Sequence, residues 1–273
     1  MKYIKDSILI GSDPEMFIWD SYTKKFVSAI DKIGGTKTMP QPLGRDGFFV
    51  QEDNVLAEFN IPPAATEDEF VTNITLGIEL VKGRLPWPTL ELRPLASAFM
   101  PEEELLDPRS KVFGCDPDFN AWKAGQRNPA PSEAVKHGLL RSAGGHLLVG
   151  YDLEDEEIVK EEVDQNIIRY CDLYLGVPSI IMDKDTERKK LYGKAGAYRS
   201  KSFGVEYRTL SSFWLGSKQT IGWAYRNMKR AVKEAGEGNF IDKNVGKRIQ
   251  SAINTANEAM AKDLIKQFDL EVC

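Results

Sequence analysis

An apolar segment with two acids set into it constrains this chain most. Residues 8–19 read ILIGSDPEMFIW, and their β-branched and aromatic content predicts a strand. Pro14 has no N–H to give to a sheet ladder, so an edge or a bulge is expected there. Asp13 and Glu15 stand two apart, and in extended backbone residues i and i+2 share a face. Two like charges are thereby placed side by side among Ile8, Leu9, Ile10, Met16, Phe17, Ile18 and Trp19. Neighbouring carboxylates resist ionisation unless a cation stands between them. The plainer alternative is an Asp-Pro turn with a solvated acid.

Composition narrows the chemistry. The 273 residues include 36 Lys plus Arg against 41 Asp plus Glu, a net charge of −5. A generic polyanion binder carries a basic excess, so there is no strong nucleic-acid signal. Only 2 histidines occur, His137 and His146. Metal or acid–base chemistry must therefore rest mainly on carboxylates. Cys115, Cys171 and Cys273 are widely spaced and form no CxxC pair, which fits a reducing cytoplasm. No apolar run is long enough to cross a bilayer. Charges interrupt the first residues before a signal-peptide core forms.

Further along, a strand-like run at Val27–Ile30 leads into a polar loop. Phe48–Glu52 and Val55–Ile61 flank Asp53-Asn54, which predicts a hairpin. Thr66 with Glu69 forms a capping-box pattern, and Phe70, Ile74, Ile78 and Val81 predict a helix to about Lys82. Thr89–Leu95 looks extended. Residues 100–142 are irregular and rich in Pro and Asp, the pattern of a lid or binding loop or of a plain surface excursion. Gly144–Tyr151 reads as a strand entered through glycines. Glu154–Tyr174 predicts a helix stopped by Gly176-Val177-Pro178. Val205–Leu210 reads as a strand. Helices are expected near Lys218–Glu234 and in a last segment using Ile249, Ile253, Ala256, Met260 and Leu264. The mixture predicts an α+β fold with a mostly antiparallel sheet and a helical C-terminus.

Three more places carry chemistry-bearing residues. Glu58 lies in NVLAEFNIPPA, where a charge is either outward-facing or paired. Glu52, across the expected hairpin, is expected toward the same side. His146 stands between two glycines and an apolar strand, as a hydrogen-bonded core residue or as a ligand. His137, near an expected helix end, reads as structural. The stretch RKKLYGKAGAYRSKSFGVEYRTLSSFWL concentrates Arg188, Lys189, Lys190, Lys194, Arg199, Lys201 and Arg208. Glu206 and Arg208 alternate on one strand face. Acids beside guanidinium groups suit phosphoryl transfer; the alternative is a solvated basic loop. There is no GxxxxGK[ST] loop and no strand–GxGxxG–helix unit, which disfavours P-loop and Rossmann folds.

These segments occur together in a recognisable order. GSDPEMFI, QEDNVLAEFNIPPA, GCDPDFNAW, GGHLLVGY, YCDLYLGVPSIIMD and YGKAGAYRSKSFGVEYRTLSSFW resemble the carboxylate–amine ligases of the glutamine synthetase and glutamate–cysteine ligase fold. Within it they are most similar to the phage phiEco32-like COOH–NH2 ligase type 2 group. The resemblance spans about residues 10–215. It implies a single catalytic domain over 1–273, with an open, curved antiparallel sheet as a funnel for ATP and divalent cations, Mg²⁺ or Mn²⁺. The ATP and metal site is placed in 1–215, with 100–142 as the lid, and 216–273 form the helical part.

By the same resemblance, Glu15 and Glu58 hold one metal, and Asp13, His146 and Glu206 hold the other. A further acid near Glu58 is expected from Glu52 or Asp53. Arg199 and Arg208 act on the transferring phosphoryl group, and Lys194 joins them at the nucleotide. Two departures stand out. Asp13 is shorter than the glutamate usual in glutamine synthetase, and Leu148 stands where relatives often carry a second histidine. The implied activity phosphorylates a small-molecule or peptide carboxylate with ATP; an amine then displaces phosphate to form an amide. For a phage-encoded chain, the host cytoplasm is the implied setting, and an oligomer is left open. Two competing readings are a non-catalytic nucleotide- or peptide-binding relative and a guanidino-kinase-like phosphotransferase.

Overall fold

A computed structural model describes residues 2–112, 118–129, 132 and 138–273. Cys115 and His137 lie outside them, as do parts of the expected 100–142 lid.

The opening apolar segment is not one strand. β1 (Leu9–Ser12) and β2 (Glu15–Asp20) are separated at Asp13-Pro14, where the ladder lacks a donor. β3 (Lys25–Val27), β4 (Gln41–Pro42), β5 (Phe49–Asp53) and β6 (Leu56–Asn60) follow. The β5–β6 hairpin turns at Asn54, whose φ of 58° lies in the left-handed region that asparagine tolerates. In α1 (Glu67–Lys82) Thr66 caps the amide of Glu69, and Phe70, Ile74 and Val81 are buried, as the spacing predicts.

Next come β7 (Leu90–Arg93) and β8 (Ser97–Phe99), then β9 (Phe119–Asn120), β10 (Gln126–Arg127), β11 (Leu140–Ser142) and β12 (Leu147–Gly150). Part of the irregular stretch is thus regular: β9 and β10 form a hairpin, and β11 pairs with β8.

The helix expected to stop at Gly176-Val177-Pro178 instead runs on. α2 (Lys160–Cys171) widens into a π turn over Asp172–Gly176 and continues as α3 (Val177–Met182). Pro178 follows on the π turn, where the helical ladder has already changed step. β13 (Ala197–Lys201) and β14 (Gly204–Tyr207) form the next hairpin.

α4 (Lys218–Gly236) is as expected. The last apolar stripe is split into α5 (Lys243–Thr255) and α6 (Glu258–Phe268). Ala256 turns left-handed at φ 51°, and Asn257 caps the new helix through Met260 N–H. The stripe is thereby folded back on itself, and Ile249, Ile253 and Leu264 all stay buried.

The fold is α+β, and every strand ladder among the described residues is antiparallel. One sheet runs β1-β12-β14-β13-β9-β10. A second runs β3-β2-β6-β5-β4, with β7 also on β2, and β11 with β8 forms a separate two-stranded sheet. Phe59 N–H to Pro14 O (3.2 Å) and Ile61 N–H to Ser12 O (3.4 Å) join the two larger sheets where the chain crosses. The main apolar core unites Ile10, Ile18, Phe59, Leu147, Val205 and the helices, with Phe70 stacked on the fully buried Trp214 at 6.0 Å, and a second cluster gathers Phe17, Val55, Leu56 and Met100.

The helix break supplies a test. Ala256→Gly removes a Cβ from left-handed backbone. It is expected to stabilise the protein by about 0.5–1 kcal/mol, read as a raised urea midpoint with unchanged slope.

Candidate functional site

The two strand acids at the N-terminus part company. Asp13 sits at the break between the sheets and Glu15 opens β2, so each faces a different set of partners. Ser12 Oγ donates to His146 O at 2.6 Å, which ties β1 to the glycines before β12. Glu15 N–H donates to Gly144 O (2.9 Å), and Gly144 N–H donates back to Glu15 Oε2 (2.6 Å).

The β12–β14 side gathers Asp13, His146 and Glu206, whose ligand atoms lie within 4.8 Å of one another. His146 Nδ1 is 3.7 Å from Asp13 Oδ1 and 3.6 Å from Glu206 Oε1. The β5–β6 side gathers Glu15, Asp53 and Glu58 within the same 4.8 Å limit. Register explains this: Glu15 is directly opposite Glu58, Glu58 is opposite Gln51, and Asp53 lies two residues from Gln51 on the same face. Glu52 falls on the other face. It accepts from Asp31 N–H (2.8 Å) and pairs with Arg109 (3.3 Å), so the structure puts Asp53 and not Glu52 with Glu58.

The GGH sequence has a steric cause. A Cβ on Gly144 would lie 2.2 Å from His146 Nε2, and one on Gly145 would lie 2.3 Å from both Ser211 O and the Trp214 indole nitrogen. The imidazole folds back over bare backbone, which aims Nδ1 at the two acids.

Three cations meet these acids from β13 and β14. Arg199 is in register with Glu206 across the hairpin, and Leu148 faces Glu206 from β12. Glu206 Oε1 pairs with Arg208, and its Oε2 lies 2.7 Å from Lys201 and 3.7 Å from Arg199. Asp13, Glu15, Gln51, Asp53, Glu58, Asn60 and His146 line one cavity of about 300 Å³ with Lys37, Arg199, Lys201 and Arg208. Lys194 does not line it; its side chain is exposed, and its carbonyl takes a hydrogen bond from Thr209. Lys201, two residues past Arg199 on the same strand face, stands at the cavity in its place.

Behind β14 lies another buried acid. Asp172, in the π turn, accepts from Trp122 Nε1 (2.6 Å), Gly196 N–H (2.6 Å), Tyr207 OH (2.9 Å) and Thr209 Oγ1 (3.2 Å). Tyr207 and Thr209 alternate with Glu206 and Arg208. This anchor therefore holds the strand so that the E-x-R pair faces the cavity. Arg188, also buried, donates to Ala143 O (3.0 Å) and Thr209 O (2.8 Å), linking the ends of the same strands.

Sequence reasoning did not single out Lys37, Gln51, Asn60, Asp118 or Asp172. Gln51 and Asn60 were open to the alternation argument applied to Glu58. Asp172 and Lys37 gave no local signal, because long-range packing places them.

The electrostatics follow from crowding. Burial, with Glu206 and Glu15 nearby, holds the Asp13 carboxyl well above its ordinary range despite Arg208 and Lys201. Burial and then Asp53 push Glu15 up to about 8. Burial and then Asp53, Asp13 and Glu15 push Glu58 well up. Burial acts the same way on Glu206, but Arg208, His146, Lys201 and Arg199 outweigh it and hold that acid low. Burial, reinforced by Arg208, depresses His146, which leaves a neutral imidazole with a lone pair to offer. Asp13 Oδ1 is buried and accepts no hydrogen bond. Carboxylate oxygens with one neutral imidazole are a donor set suited to hard divalent cations.

The sequence was also compared with known proteins. The family model for phage phiEco32-like COOH–NH2 ligase type 2 matches residues 133–268, about half of the chain. The chain belongs to this COOH–NH2 ligase family. Among curated proteins, none matches its sequence. Two solved structures are similar in fold. A bifunctional glutathione synthetase from Pasteurella multocida aligns with TM-score 0.43 and 11% identity, over 96% of this chain and 49% of that one. A novel glutamine synthase homolog aligns with TM-score 0.37 and 10% identity, over 95% of this chain and 63% of that one. The chain thus spans less than two thirds of either. No helix among the described residues of this ligase-family chain is long and apolar enough to cross a membrane.

The raised acids make a stability prediction. Glu15, with a folded value near 8 against an unfolded 4.5, is held protonated by the fold, so its contribution is lost as pH rises through about 8. Asp13 and Glu58 share that sign. His146, being depressed, changes its contribution only below about 6.5. In EDTA the melting temperature is therefore expected to fall between about pH 6.5 and 8. A rise over that range would contradict the reading.

Proposed function

We propose that the protein is an ATP-dependent carboxylate–amine ligase that forms an amide through an acyl phosphate and uses divalent metal. The observation that carries this is the pair of three-ligand groups, of which Asp13, Glu15, Asp53, Glu58 and His146 line one cavity together with Arg199, Lys201 and Arg208. Family membership supports the bond type. It also sets aside the phosphotransferase reading.

The residues fit two cations. Asp13 Oδ1 is buried without a hydrogen bond, and Glu15, Asp53 and Glu58 crowd like charges that protonation or a cation must relieve. Asp13, His146 and Glu206 are assigned to one ion, and Glu15, Asp53 and Glu58 to the other. Bound Mg²⁺ or Mn²⁺ supplies charge compensation for the nucleotide phosphates. The remaining work belongs to the side chains. Arg199 and Arg208 neutralise the phosphoryl group in flight, with Lys201 beside them. Glu206 holds those cations at the correct face through its ion pairs. Asp118 and Ser142, from the described part of the 100–142 stretch, line a small cavity at the site. The substrates are a small-molecule or peptide carboxylate and an amine, and the setting is a reducing cytoplasm, consistent with free Cys171 and Cys273.

The test is ADP release by purified protein given ATP, Mg²⁺ and paired panels of carboxylates and amines. Full turnover should require one of each. Glu58→Gln and Arg199→Ala should each lower it by ~10²-fold or more with the fold intact by circular dichroism. Full activity in EDTA, or in either variant, would remove the assignment.

A further inference from the structure

Asp53 ends β5 and is followed at once by the left-handed turn at Asn54. Turn tips are ordinarily among the more mobile parts of a chain. Three acids of like charge also repel, and the tip is the part of the Glu15–Asp53–Glu58 group best able to give way. Yet both neighbours of Asp53 are held, and by the same stretch of chain.

That stretch is residues 102–112, with short 3-10 turns at Glu102–Leu105 and Pro108–Lys111. On one side of Asp53, Glu52 pairs with Arg109 at 3.3 Å, and the same guanidinium takes Asp31 and Asp107 at 2.8 Å. On the other side, Asn54 Nδ2 donates to Ser110 O (2.7 Å) and Val112 O (2.9 Å). Asn54 Oδ1 accepts from Arg141 Nε at 3.1 Å, and Arg141 Nη2 donates to Ser110 O at 3.0 Å. Arg141 is buried in β11, where its Nη1 also holds Gly138 O and Leu140 O.

The stretch is itself anchored. Ser110 Oγ bonds to Leu105 O (3.0 Å) and Asp107 O (2.7 Å), and Glu104 accepts from Ser28 N–H (2.7 Å). Leu105 joins Val55 and Leu56, from the same hairpin, in the second apolar cluster. Asn54, Arg109 and Arg141 do not line the cavity. Their effect on it passes through the backbone on either side of Asp53.

Resting on the ligase reading above, we infer that Asn54 and Arg109 are positioning residues for the Glu15–Asp53–Glu58 group. They clamp the hairpin tip so that Asp53 meets Glu15 and Glu58 around a divalent cation. Asp13, His146 and Glu206 stand on other elements, so the clamp serves one cation group and not the other.

The competing role is plain support of the fold. Asn54→Gly tests it, because glycine takes a φ of 58° freely while the side-chain bonds are lost. Arg109→Ala releases Glu52 from a half-exposed partner and leaves the buried bonds alone. The probe is Mn²⁺ without nucleotide, added to the full chain at pH 8 and followed by the electron paramagnetic resonance of the free ion. Wild type should bind two ions. Each variant should weaken one of them by ~10-fold or more and leave the other within about twofold. Adding Asn54→Gly to Asp53→Ala should cost less than about twofold further, because the residue being positioned is already gone. Thr66→Ala, which removes the cap of α1, should lower the melting temperature and leave both ions in place. Should Asn54→Gly fail to fold, Arg109→Ala decides. A variant that binds both ions as wild type does removes its residue from the clamp. Equal weakening of both ions makes the role structural only. Either result leaves the ligase reading standing. A wild-type chain that binds no Mn²⁺, or whose binding Asp53→Ala leaves unchanged, overturns the metal assignment and the clamp with it.

Discussion

Glu15 and Gly144 exchange two hydrogen bonds, and Pro14 O accepts from Phe59 N–H. This knot sets the rest of the site. It is where the chain leaves one sheet for the other, so it fixes β1 against β12 and β2 against β6 at once. Proline makes the crossing possible by ending the first ladder. The acids on either side are then delivered to different partners, Asp13 to His146 and Glu206, Glu15 to Asp53 and Glu58. A shift of one residue in β2 would turn Glu15 away from Glu58 and place Met16 in its position.

Crowding of this kind is expensive in a folded protein. Buried like charges raise one another's pKa, and the fold relieves the strain only in part. On the β14 side the relief is internal, since Arg208, Lys201 and Arg199 surround Glu206. On the β5–β6 side burial is reinforced by Asp53, Asp13 and Glu15, and the Glu58 carboxyl is pushed well up. The two halves therefore differ in how far their acids are already compensated within the fold. Asp172 supports the arrangement from behind, because its four donors lock Tyr207 and Thr209 and leave Glu206 and Arg208 to the cavity.

Much of this was legible from residues alone. The hairpin at Asn54, the cap at Thr66, the buried face of α1 and the alternation of Glu206 with Arg208 are local patterns, and local patterns survive folding. Resemblance to the ligases grouped Asp13 with His146 and Glu206, and Glu15 with Glu58, as the strand register then did. The misreadings are equally physical. The helix through Pro178 was cut short because a π turn, which shifts the hydrogen-bond ladder by a residue, leaves no mark in apolar spacing. The split of α5 from α6 was missed because the apolar stripe continues across Ala256. Lys194 was expected at the site by resemblance; strand phase brings Lys201 to the cavity, and Lys194 does not line it.

The sequence by itself determined the kinds of chemistry on offer. With 2 histidines, any metal site had to be built on carboxylates, and the glycines before His146 reserved backbone space for its ring. Tertiary structure decided which acids meet. Asp53 and Glu52 are neighbours with the same charge, and nothing local separates them. The β5–β6 register does so, because the pleat sends adjacent side chains to opposite faces, one toward the cavity and one toward Arg109.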